Sequence, residues 1–187
     1  MEHYYHAAQK DTPIGERWAS MTTRWESAIE ATLVGLGATA TMDLGGEAIR
    51  RATGVPPLDY RLVGRWIGHM PRGQFTHDSI HAAAPVPDEK TLGLVAHYSI
   101  GITFAGLLLA CRPGWAERPT LRPAMATGLG STVASFVLMQ PAFGMGLAAS
   151  KTPNPTVARL RSMRAHAIYG LGLYLSARAL PLFCVPG

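Results

Sequence analysis

From Thr91 to Cys111, and again from Pro123 to Ser150, the chain carries no formal charge, over 21 and 28 residues respectively. Runs of more than about 18 uncharged, mainly apolar residues are long enough to cross a hydrocarbon core as helices. A chain with two of them must bury them in a large core or place them in lipid. With 187 residues, of which 16% are charged, it falls well short of the usual charged share of about 25%. The only formal charges between Thr91 and Ser150 are Arg112, Glu117, Arg118 and Arg122, in one short interruption between the two runs. Lipid is therefore the expected environment.

Two further spans complete the pattern. The first is expected at about 28–50, the second at 92–111, the third at 124–149 and the fourth at 159–180. The fold class is thus all-α, an integral membrane four-helix bundle with an interfacial segment at 51–90 between spans 1 and 2. Residues 27–185 make one transmembrane domain, and 1–26 a polar segment, loose or on the membrane surface, with Trp18 and Trp25 at headgroup level. The N-terminus has no apolar signal-peptide core, so the first span itself directs insertion. Met21 offers an alternative start to Met1.

Within 51–90, Asp59 can cap a short helix, YRLVGRWIGHM, with Leu62, Val63, Trp66 and Ile67 on one side and Arg61 and Arg65 on another, a pattern that suits the membrane plane. A second short helix is expected around 76–83. The loops after the first and third spans hold ten Lys and Arg against seven on the other side, which predicts 51–90 and 150–158 on the cytoplasmic side of the plasma membrane. Arginines scattered singly at the ends of apolar runs suit lipid headgroups, not nucleic acid. Lipid is the expected partner, with a second copy or another membrane subunit as a further one.

Two short strings recur. GLGAT at 35–39 reads with GLGST at 128–132, and His97 and His166 each precede a glycine by four residues near the start of an even-numbered span. The arrangement predicts a duplicated helical hairpin, and small residues at this period let helices approach closely in lipid.

Asp43 and Glu47 lie in the last turns of the first span, where a bilayer tolerates acids poorly. Tracing four spans brings Asp43, Glu47, His97, Gln140 and His166 toward one membrane face, both histidines roughly 10 Å inside it. The leading functional expectation is a non-enzymatic protein that binds a metal, a heme or a proton at this cluster, with His97 and His166 as ligands. An alternative is a structural or assembly subunit without a ligand. A third is a membrane enzyme acting on a lipid-like substrate. Structural roles compete residue by residue: Glu47 suits Arg50 or Arg51, and a carbonyl suffices for each histidine. His77 and His81, at i and i+4, suggest a metal pair lacking a third ligand. Cys111 and Cys184 end spans on one face and can pair if their Cα atoms come within about 7 Å. No Walker loop, dinucleotide fingerprint, CxxC, HExxH or GxSxG is present.

The strings GLGATATMDL, VPPLDYRLVGRWIGHMPRGQF, LGLVAHYSIGITFA, FVLMQPAFGMGLAASKTPNP and RLRSMRAHAIYGLGLYL together resemble the bacterial multi-pass membrane family known as domain of unknown function 2938. The resemblance runs from about Thr32 to Leu180. It implies a small inner-membrane protein of about four helices, and carries no assigned catalytic or binding residues.

Overall fold

The computed structural model describes residues 13–180, with side chains from 25 onward. The Trp18 side chain and Cys184, the expected partner of Cys111, fall outside what is described. Among those described, all regular structure is helical. Five helices follow in order: α1 (Pro13–Thr53), α2 (Tyr60–His69), α3 (Glu89–Cys111), α4 (Leu121–Ala134) and α5 (Pro155–Ala179).

α1 contains the expected first span and extends it at both ends, reaching back to Pro13 through residues expected to be loose. Gly54, at φ 73°, closes it, its N–H donating to the Arg50 carbonyl at 2.8 Å. Asp59 caps α2 as its position suggests, the carboxylate accepting the Arg61 N–H at 3.0 Å. Leu62 and Val63 are buried, and α2 packs along α3. The contact is backbone to backbone: a methyl at Gly64 would overlap the Glu89 carbonyl, and one at Gly93 the Tyr60 carbonyl. Arg65 locks the joint with a two-pronged pair to Glu89, at 2.9 and 3.0 Å.

The third span departs most from expectation. α4 passes through a π turn, Ser135–Met139, into a last turn, Gln140–Ala142, and ends seven residues short of the predicted Ala149. Pro141 has no N–H to continue the ladder, and the wider π turn just before it relieves the ring's crowding of the preceding carbonyls. Gly144 at φ 83° then donates to the Pro141 carbonyl while Met145 donates to Gln140, the paired bonds of a Schellman end. The helix predicted at 76–83 does not form, because its backbone donors are used across the fold. His77 and Ile80 N–H groups bond the Ala142 and Phe143 carbonyls at 2.9 and 3.1 Å and so cap α4 from outside.

α1 packs against α3 and α5, and α4 against α5, whereas α3 and α4 meet only sparingly. At the α1–α3 crossing a Cβ on Gly35 would lie 2.5 Å from the Ile102 Cα, and at the α4–α5 crossing one on Gly128 would lie 2.5 Å from the Gly170 Cα. Each of the two matching strings thus sits at a crossing where two helix backbones nearly touch. The core they enclose is built of Val34, Ala38, Ala105, Leu108, Ala124, Leu173 and Ala177.

One described helix, Glu89–Cys111, is long and apolar enough by composition to cross a membrane. The expectation of four such helices is met at this one alone. α1 is diluted by Asp43, Glu47 and two arginines, α4 is cut short by its π turn, and α5 carries Arg159, Arg161, Arg164 and Arg178.

Candidate functional site

α1, α2 and α3 converge on Asp43. Its carboxylate accepts hydrogen bonds from the Tyr60 hydroxyl, from the Tyr98 hydroxyl at 3.0 Å, and from His97 Nε2–H at 3.0 Å. Tyr60 reaches it from the first residue of α2, and its ring stacks on His97 with centroids 4.4 Å apart. Burial, reinforced by the adjacent carboxylate, pushes the Tyr60 hydroxyl far above the usual phenol range, so it stays a donor. A carboxylate has only lone pairs to offer, so it fixes the proton of His97 on Nε2. The sequence pattern singled out Asp43 and His97 but neither tyrosine. Tyr98 is next to His97 in the chain, and Tyr60 follows the Asp59 cap by one residue.

His166 stands apart from this group. Its Nδ1 is 2.7 Å from Ser131 Oγ and its Nε2 3.3 Å from Ser135 Oγ, the second serine being turned inward by the π turn. Ser131 and Ser135 were not anticipated, since one turn of apolar sequence separates them and neither neighbours a charged residue.

Both imidazoles nevertheless line one cavity of about 150 Å³, with Thr39, Met42, Trp66, Phe104, Ser131, Ser135 and Tyr169 also in its wall and Leu58, Ile100 and Leu138 exposed at its mouth. A cavity of this volume takes one benzene-sized ring, while drug-sized ligands need about 300–1,000 Å³. Heme does not fit. No group of three or more metal-type side chains that could hold an ion occurs among the described residues.

The remaining predicted residues lie elsewhere. Glu47 is bound by Arg50 at 2.6 Å and Arg51 at 2.8 Å on the surface. Gln140 is buried but joins α5, its amide donating to Ser162 Oγ at 3.2 Å, with Oε1 unpartnered among the described residues. His77 does not pair with His81, which is exposed; its Nε2 lies 2.7 Å from Nδ1 of His69, and both rings are buried. No helix forms at 76–83 to align His77 with His81.

A family model described as "Protein of unknown function (DUF2938)" matches residues 32–180. The chain belongs to this family. The matched region starts within α1 and ends just after α5, so it holds Asp43, Tyr60, His97, Ser131 and His166 together. No curated protein and no solved structure matches the chain.

Proposed function

We propose that this chain is a multi-pass helical membrane protein that binds a small lipophilic molecule in the cavity, with His97 as the group that exchanges a proton with it. The observation that carries the reading is the meeting of His97, oriented by Asp43, and His166, oriented by Ser131, in the wall of one otherwise apolar cavity. A carboxylate-held imidazole in the wall of an apolar cavity, with its second ring nitrogen uncommitted, is an acid–base group waiting for a partner.

Membrane residence is supported by an inside-out distribution of side chains. Leu44 on α1, Val95 on α3, Val133 on α4 and Leu160 on α5 are 59–72% exposed, while Thr39, Ser131, Thr132 and Gln140 are buried. In water each such exposed aliphatic side chain forgoes about 1.5–3 kcal/mol of burial, whereas in lipid the outward apolar and inward polar pattern is the favourable one. The paired crossings at Gly35 and Gly128, each with a histidine from the helix it crosses in the cavity wall, support an origin by hairpin duplication. On this reading the loops 51–90 and 150–158 face the cytoplasm.

3-Decylphenol, one ring with one hydroxyl and an alkyl tail, is a suitable probe. Native mass spectrometry of protein released from detergent micelles is expected to find one probe per chain, lost in Ser135→Phe, which fills the cavity. Equal retention by both proteins, or release of the protein from membranes by alkaline carbonate without detergent, would overturn the reading.

A further inference from the structure

The polar groups of the cavity wall are nearly all committed within the protein, and those left over share one character. The Thr39 hydroxyl donates to the Gly35 carbonyl at 2.8 Å, the Tyr169 hydroxyl to the Gly101 carbonyl at 2.6 Å, and the Trp66 indole N–H to the Phe75 carbonyl at 2.8 Å. Ser131 gives its proton to the Gly128 carbonyl at 2.6 Å, so its oxygen must accept the Nδ1–H of His166 at 2.7 Å. That leaves Nε2 of His166 as a lone pair, met only by the Ser135 hydroxyl at a long 3.3 Å. On His97 the proton sits on Nε2, shared between Asp43 at 3.0 Å and the Tyr60 oxygen at 3.1 Å. Its Nδ1 is therefore a second lone pair, with no hydrogen-bond partner among the described residues.

The residues that line the cavity thus carry two ring acceptors, one from α3 and one from α5, and one weakly used donor, the Ser135 hydroxyl, around a space that holds a single ring. A ligand that satisfies both must bring two donors on a small apolar frame. We infer that the cavity selects a benzene-1,4-diol, a ring with a hydroxyl at each end, as in the reduced head of a lipoquinone, with its alkyl tail leaving past Ile100 and Leu138 into lipid. This rests on the reading above of the cavity as a lipophile site. The sign of the preference follows from the tautomers. The oxidised quinone carries two carbonyl acceptors; one can take the Ser135 proton away from His166, which leaves the other carbonyl and both ring lone pairs unpaired. A monophenol satisfies only one acceptor.

The test compares three probes of equal tail length on wild-type protein in detergent under anaerobic conditions: 2-decylbenzene-1,4-diol, the corresponding quinone and 3-decylphenol, titrated by native mass spectrometry. The diol is expected to bind about tenfold or more tighter than either of the others. His97→Phe and His166→Phe are each expected to reduce the diol to the affinity of the phenol. The wild-type comparison stands whether or not these variants fold. Quinone binding as tight as the diol, or phenol equal to diol, overturns the inference while leaving a lipophile site. Failure of all three probes to bind overturns the reading of the cavity as well.

Discussion

His97 Nε2 and Asp43 Oδ1 lie 3.0 Å apart, across 54 positions of sequence and between two helices whose backbones touch at Gly35 and Ile102. The pair is half-sheltered, with side chains 13% and 26% exposed, and Asp43 also holds two tyrosine hydroxyls. Asp43→Leu therefore strands three donors at once. Thermal unfolding in detergent is expected to show a loss of about 2–4 kcal/mol, since each stranded buried group costs on the order of 1–3 kcal/mol and the three relax together. A double-mutant cycle of Asp43→Asn with His97→Asn is expected to give a coupling of about 1 kcal/mol. Additivity of the two changes would show that the pair is not formed.

The two tyrosines separate by burial. Tyr60→Phe removes both the donor to Asp43 and the hydroxyl acceptor beside His97, whereas Tyr98→Phe removes one bond at 3.0 Å on the more open side. Tyr60→Phe is expected to cost about 1–1.5 kcal/mol and Tyr98→Phe about 0.5–1 kcal/mol. Equal losses, measured by thermal unfolding under one detergent condition, would contradict this ranking.

These residues also mark how far the sequence alone could be read. An acid and two histidines in apolar helices are visible because each is costly there unless paired, and the i, i+4 spacing of small residues indicates which face turns inward. The tyrosines are invisible by the same logic, because an aromatic residue at a helix start or in a span is ordinary. For Gln140 and His166 the sequence offers depth along a span, and depth does not give azimuth around the bundle. The π turn before Pro141 rotates the end of α4, and Gln140 goes to Ser162 instead of to Asp43. In the loop 74–83 the helix expected at 76–83 does not form because the His77 and Ile80 N–H groups serve the end of α4, a long-range demand that local sequence does not carry.

Arg65 ties that loop to the bundle. Its guanidinium pairs with both oxygens of Glu89 and also donates to the Ile80 and Ala83 carbonyls at 3.3 and 3.1 Å. Lysine keeps the charge but has neither the fork nor the reach to serve carboxylate and carbonyls together. Arg65→Lys is expected to speed proteolytic cleavage within 73–84 severalfold while barely changing cleavage in the 112–120 loop. Uniform cleavage at both loops would place the role of Arg65 elsewhere.

Two glycines two residues apart on α4 test the packing directly. At Gly128 a methyl group would sit 2.5 Å from the Gly170 Cα and 2.6 Å from the His166 carbonyl, so Gly128→Ala must push α4 off α5. The cost is backbone displacement, about 1–3 kcal/mol, and it falls beside His166 and Ser131, so 3-decylphenol binding is expected to weaken with stability. At Gly130 a methyl group meets nothing within 4 Å. Gly130→Ala instead removes conformational freedom from the unfolded chain and is expected to stabilise the protein by up to about 1 kcal/mol with probe binding unchanged. Opposite signs at neighbouring positions of one helix separate close packing from helix propensity. If both substitutions shift the melting temperature in the same direction, α4 does not meet α5 at Gly128.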